Sequence, residues 1–341
     1  MKSKKISTLI LTFFAAVSVF AQSNMKIATI APSRSVWDIE SKKLSQEWAE
    51  ITNGQVKMQF MNATAMGGET GVIAKLNSIR PGQKAPIDGA IFTNIGIAAL
   101  APDTHIFTLC APFLFRNQEE IDLIYETFKP QIAKSLSEKG YVLIGKFIVG
   151  WAYFYTKKPV HTIEDLKEQK LSVSGMGLSS LSDTFKAAGY KTEDVPSNKL
   201  LQSMKTPGGL EGFYTIPMYA YAGQYYKELP YILNIPFCPI IASFIINEAT
   251  WNSFTESQRE AMLKSIEDSE KVFVEEQKNA DKEYLDLCVQ GGCNLVTLSP
   301  EEYKAMEAGL REDTKAMTKT GLLDQKFYDD IQVVLKKYRG E

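Results

Sequence analysis

Apolar and polar positions along this chain follow two rhythms that alternate from the start. Residues 26–30 form a short apolar run, read as a strand. From Trp37 onward, Trp37, Leu44, Trp48 and Ile51 recur at spacings of seven, four and three, with small Ser41 filling the turn that lacks an apolar residue. That spacing places them on one face of a helix, and Asn53-Gly54 ends it. Residues 56–60 then switch to a period of two. Val56, Met58 and Phe60 share one face of a strand, and Lys57 and Gln59 share the other. A helix over 71–77 and a strand over 87–92 repeat the theme. Strand-helix-strand order of this kind predicts an α/β sheet with parallel pairs.

Helix starts are marked by side chains able to accept an early backbone N–H. Asn117 with Glu120, Thr162 with Asp165, Thr255 with Gln258, and Ser299 with Glu302 all fit the capping arrangement. Pro300 adds a first helical residue whose missing donor costs nothing. Residues 255–288 contain neither proline nor glycine, and Met262, Ile266, Phe273, Ala280 and Tyr284 recur along them. A continuous helix there reaches about 50 Å, longer than one modest domain needs, so it is expected to tie two domains together. No internal repeat, low-complexity tract or disordered linker breaks the chain, and the expected crossing points lie near Gly150 and Pro239.

Residues 1–21 change the picture at the N-terminus. Lys2, Lys4 and Lys5 precede an almost wholly apolar run over residues 6–20, and Val19-Phe20-Ala21 offers small residues for cleavage. The run is short for a membrane span, so it reads as a cleavable export signal, with the mature chain starting near Gln22. Size then predicts two domains. The weakly acidic balance, formally −2, and the lack of a basic run argue against nucleic acid. Export permits oxidation, and Cys288 and Cys293 are spaced to close a small loop. Two buried free thiols are the alternative. Cys110 and Cys238 sit in apolar contexts and read as core. A zinc site is not expected from this spacing.

Several ordered segments resemble the DctP-type family of TRAP periplasmic solute receptors. Met66-Gly-Gly-Glu-Thr70, Ile87-Asp-Gly-Ala90, Ala111-Pro-Phe-Leu-Phe115, the entry from Lys158-Pro-Val-His to Asp165-Leu-Lys167, Gly209-Leu-Glu-Gly212 and Trp251 fall in the family's order. The resemblance implies an α/β fold of two lobes hinged around a central cleft, with a long helix spanning both. Lobe I is expected over 22–150 plus 240–280, and lobe II over 151–239 plus 281–341. It further implies a periplasmic binding protein with no cofactor, handing a small ligand to the membrane subunits of a TRAP transporter. In some such systems a tetratricopeptide-repeat lipoprotein also takes part.

One departure bears on the ligand. Where relatives carry a carboxylate-gripping arginine, this chain has Ser172, and the weaker arginine position holds Ala152. A hydroxyl cannot copy a guanidinium fork, and burying a carboxylate among neutral donors costs several kcal/mol. The expected ligand is therefore uncharged, amphipathic or hydrophobic. Candidate contacts are Trp151 and Tyr153 on one strand face, Ser172, Ser174 and Met176 along the next strand, and Phe213 and Tyr214 after the Gly-Leu-Glu-Gly turn. Glu69, Thr93 and Asn94 lie in or beside strand-to-helix loops, where Glu69 has helix capping as its commoner role. Arg34, in the first strand-to-helix loop, is the one cation placed to replace the missing arginine, with an ordinary solvated arginine as the commoner case. Two histidines, His105 and His161, and no G-x-S-x-G, H-E-x-x-H or P-loop leave a secreted hydrolase the weaker alternative. A ligand-binding sensor docking on a signalling partner is the other.

Overall fold

The computed structural model describes residues 23–78, 83, 85–173, 179–193 and 195–341. The expected export signal, and with it Ser174 and Met176, lies outside the described residues. In chain order the first half holds β1 (Ser23–Thr29), α1 (Val36–Ile51), β2 (Val56–Asn62), α2 (Gly68–Asn77), β3 (Gly89–Thr93), α3 (Asn94–Leu100), α4 (Gln118–Ser137) and the long β4 (Tyr141–Thr156). There follow α5 (Ile163–Glu168), β5 (Leu171–Ser172), α6 (Ser179–Ala187), α7 (Leu200–Lys205), β6 (Gly212–Thr215), α8 (Pro217–Ala222), β7 (Tyr231–Leu233) and β8 (Cys238–Asn247). The chain ends with α9 (Glu248–Asn252), α10 (Glu256–Gln290), β9 (Asn294–Val296), α11 (Pro300–Met317) and α12 (Gln325–Arg339).

The strands run β2-β1-β3-β8-β4-β6-β5, with β7 and β9 attached beside β4. β1 pairs in parallel with β2 and β3, while β8 runs antiparallel to both β3 and β4. β4 is the shared element. It pairs with β8 as far as Ala152 opposite Cys238, then with β6 from Tyr153 and with β7 from Tyr155. Two architectural halves therefore meet along one strand. The aromatic core of the first half stacks Trp48 on Phe244, with ring centroids 5.6 Å apart, and sets Phe147 edge-on to Phe273 at 5.2 Å. In the second half Tyr155, Phe213 and Ile232 pack with Leu200 and Tyr225.

α10 covers 35 residues and packs against α1, β4 and α8, so it reaches both halves as its uninterrupted pattern predicts. It grips β4 twice. The Glu270 carboxylate accepts the Lys146 N–H at 2.8 Å, and the Asp281 carboxylate accepts the Trp151 N–H at 3.2 Å. Each bond follows a β-bulge, one between Leu143 and Gly145 and one between Ile148 and Gly150. Eleven helical residues and five strand residues both span about 16 Å, so the two grips are in register. Lys146 adds ion pairs to Glu270 at 3.6 Å and Asp122 at 3.1 Å.

The last helix departs from the division expected of residues 281–341. α12 packs on α4, bringing Phe327 within 4.8 Å of Phe128. Arg339 bonds the buried Glu120 carboxylate through Nε at 2.7 Å and Nη2 at 2.6 Å. Its apolar stripe of Phe327, Ile331 and Leu335 needed cover, and α4 supplies it. Among the described residues no helix is long and apolar enough to cross a membrane.

Gly150 has φ +132°, and a Cβ there would lie 2.7 Å from Asp281 Oδ1. Gly150→Ala is expected to cost about 1–3 kcal/mol, read from denaturant melts. An unchanged midpoint would show that the bulge is not constrained as described.

Candidate functional site

A cleft opens where the two halves of the sheet meet, holding about 570 Å³ of empty space including its mouth. Ile30 and Pro32 follow β1, Trp37 stands on α1, and Thr93 and Ile95 flank the start of α3. From the other side come Val173, just past β5, the β6 residues Phe213, Tyr214 and Thr215, and then Ile216, Met218 and Tyr219. Val149 of β4 and Ile240 of β8 complete the wall where the strands cross. Among the described residues the lining contains no lysine, arginine, histidine, aspartate or glutamate.

Local sequence explains the placement. α1 begins under a Ser35 cap, whose Oγ accepts the Asp38 N–H, and this turns Trp37 inward. Pro217 at the start of α8 stops β6 and lets Met218 and Tyr219 face the same space. Tyr214 is held by rings, with Phe185 at 5.7 Å and both Phe154 and Phe237 nearby. Burial pushes its phenol well above the ordinary range. Phe213 meets Tyr225 edge-on at 5.5 Å.

Thr93, Phe213 and Tyr214 are thus the sequence candidates that line the cleft, Thr93 from one side and Phe213 and Tyr214 from the other. The others stand elsewhere, each for a physical reason. Glu69 is fully buried. Its carboxylate accepts the Thr93 N–H and the Thr93 hydroxyl, both at 2.7 Å, and the Gly96 N–H at 2.9 Å. It closes the start of α3 from behind the cleft wall. Burial raises its pKa from 4.5 to about 7 against those three bonds. Asn94 is buried too, donating to the Ile106 carbonyl at 3.0 Å and accepting the Ile241 N–H at 2.8 Å. It is a cross-brace, not a free ligand contact.

Trp151 is half-buried and packs against a core cluster that runs from Phe92 in the first half to Tyr214 in the second. Tyr153 packs with Tyr155 against the second half's core, and burial with the nearby Asp281 charge raises its phenol to about 12. Ser172 is buried with its hydroxyl unbonded and lies opposite Phe213 in the β5–β6 register, behind the lining. Arg34 is exposed at the α1 entry with φ +68°, its backbone N–H bonded to Asp38 at 2.7 Å. Cys288 and Cys293 are free buried thiols, so the possible disulfide is not formed. Cys293 Sγ donates instead to the Tyr226 carbonyl at 3.2 Å. Among the described residues no group of three or more His, Cys, Asp or Glu side chains could hold a metal ion.

Sequence reasoning missed Ile30, Pro32, Ile95, Val149, Val173, Thr215, Ile216, Met218 and Ile240 as lining residues. Most are aliphatic and carry no chemical signature. In the sequence Trp37 shows only as a helix-face residue. Trp37 does carry a signal in the structure, since its indole N–H is buried without an acceptor.

Two α/β halves sharing one strand, a helix along both and a cleft between them are the architecture of a solute-binding protein. The profile of the bacterial extracellular solute-binding proteins, family 7 (DctP), matches residues 27–320, and the chain belongs to that family. A solute-binding protein of Chromohalobacter salexigens is 25% identical over 238 residues, covering 67% of this chain and 66% of that one. Three solved structures share the fold. The sugar acid binding protein of Advenella mimigardefordensis, in complex with galactonate, has a TM-score of 0.80 and 15% identity, covering 93% of this chain and 98% of that one. A TRAP periplasmic solute binding protein of Desulfovibrio desulfuricans, with bound sn-glycerol-3-phosphate, has 0.78 and 19%, covering 93% and 97%. One from Sulfurospirillum deleyianum, with bound succinate, has 0.75 and 18%, covering 91% and 98%.

Glu69→Gln puts an NH2 group where both carboxylate oxygens now accept, leaving a buried donor unmet. The expected loss is about 1–3 kcal/mol in a denaturant melt. The pH dependence of the parent follows from the direction of the shift. The folded state holds the Glu69 proton more tightly than the unfolded chain, so this group's contribution falls as pH rises from 4.5 to about 7. Melts at pH 5 and pH 8 should show greater stability at the lower pH, and the reverse order would contradict the assignment.

Proposed function

We infer that this chain is the extracytoplasmic receptor of a TRAP-type transporter, taking a neutral, amphipathic or hydrophobic solute into the cleft for delivery to the membrane subunits. The family supplies the solute-binding role, and structures of the same fold are TRAP receptors. The apolar lining, without a cation among the described residues, carries the ligand class. Succinate, galactonate and glycerol-3-phosphate in the three structural matches are anions, and an anion leaving water needs a charged or multiply bonded partner. Glu69 behind Thr93 and Asp281 behind the β4 bulge bring no positive charge to offset an anion. Apolar walls with a few polar atoms suit a ligand with a hydrocarbon body.

In this reading the export signal delivers the mature chain to the periplasm. The lobes divide near Gly150 and Pro239, where β4 and β8 cross, and close over the ligand. A tetratricopeptide-repeat lipoprotein as an additional partner rests on the sequence resemblance alone.

Organic extracts of the purified protein, analysed by mass spectrometry, should yield a neutral or apolar compound. In thermal-shift titration, N-phenyl-1-naphthylamine (a neutral apolar dye) and decanol should raise the melting temperature, while succinate, galactonate and glycerol-3-phosphate should not. Ligand at a hundred times its Kd stabilises by about 2.7 kcal/mol, a readily measured shift. Recovery of a small dicarboxylate, or a shift with the three acids alone, would overturn the proposed ligand class.

A further inference from the structure

The two grips of α10 on β4 look alike but differ in charge. Glu270, on the first bulge, faces the Lys146 ammonium 3.6 Å away. Asp281, on the second, has no paired cation among the described residues. Its Oδ2 accepts the Trp151 N–H at 3.2 Å and its Oδ1 accepts the Gln277 side-chain N–H at 2.8 Å. Of the titratable groups facing it, β4 brings the Tyr153 phenol, and α8, packed on the same helix, brings only Tyr219 and Tyr221. On α10 itself Lys278 and Lys282 are exposed, and Lys282 is paired with Asp286.

The second bulge is also the one that touches the cleft. Val149 lies inside it and lines the wall, Gly150 carries its left-handed φ, and Trp151 follows as β4 turns from β8 to β6. We propose that Asp281 is a positioning residue for the cleft: its carboxylate, bonded to the Trp151 N–H, fixes the β4 bulge that presents Val149 to the ligand.

The clamp is built to respond to protonation. Burial raises the Asp281 pKa from 3.8 to about 7, opposed by its bonds to Gln277 and Trp151. Gln277 Oε1 is buried without a partner. A neutral Asp281 carboxyl donates to that oxygen once the Gln277 amide turns over, and it accepts the Trp151 N–H less strongly than the carboxylate does. The strand is thus held firmly above pH 7 and more loosely below it.

The test compares the parent with Asp281→Asn and Asp281→Leu, following Val149 and Trp151 amide signals by NMR from pH 5.5 to 8.5. Binding of N-phenyl-1-naphthylamine is measured at pH 6 and pH 8. In the parent those amides should titrate with a midpoint near 7, and dye affinity should fall severalfold at the lower pH. Asp281→Asn, which keeps an oxygen acceptor but no charge, should abolish the titration and bind equally at both pH values, like the parent at pH 6. Asp281→Leu should speed exchange of the Trp151 N–H and weaken dye binding about tenfold, the worth of one charge-assisted hydrogen bond. Titration persisting in Asp281→Asn would overturn the proposal, as would parent-like amides and affinity in Asp281→Leu. The dye arm rests on the receptor reading and the amide arm does not. A parent that fails to bind the dye counts against the apolar ligand, and the amides still decide the role of Asp281.

Discussion

The carboxylates of Glu270 and Asp281, on one helix, accept two backbone N–H groups of one strand, and the shared spine of the molecule depends on those bonds. β4 passes through both halves, so any slip of the strand against α10 would move Val149, the β6 pairing and the β8 crossing together. Bulges would ordinarily leave ladder donors unmet. Here each bulge is followed by an N–H that a helix carboxylate takes up. Glycine at 145 and 150 makes the approach possible, since a Cβ at either position would meet the accepting carboxylate at 2.7 Å.

Much of the fold was legible because the physics behind it is local. The expected amphipathic stripe is α1 over Val36–Ile51, and the period-two run is β2 over Val56–Asn62. All four expected caps are present, three of them as reciprocal capping boxes at Thr162, Thr255 and Ser299. The run without glycine or proline is α10, Glu256–Gln290. Each of these signals lies within a few residues of the element it marks. The return of α12 to α4 depends on a pairing of Arg339 with Glu120, more than two hundred residues apart, and no local pattern announces it.

The candidate site was less legible for the same reason. Placing Trp151 and Tyr153 on one strand face was sound alternation, but the neighbouring sheet changes along that stretch. Trp151 packs with one core and Tyr153 with another. Glu69 and Asn94 looked like polar groups waiting for a ligand, yet their partners come from the backbone at Thr93, Gly96, Ile106 and Ile241. The absence of an arginine at position 172 was readable. That the cleft is walled instead by mostly apolar residues scattered over α1, β3, α3, β4, β6, α8 and β8 was not, because an isoleucine in a cleft and one in a core look the same in sequence.

Arg339 has a consequence for the order in which the molecule can be completed. A ribosome makes Glu120 long before its guanidinium partner, and until the final turn of α12 arrives, the N-terminal half carries an acid at the edge of its core with its counter-ion still unmade. The apolar face of α4 near Phe128 is left uncovered for the same interval. The N-terminal half therefore completes its surface only when residues 325–339 have folded back onto it.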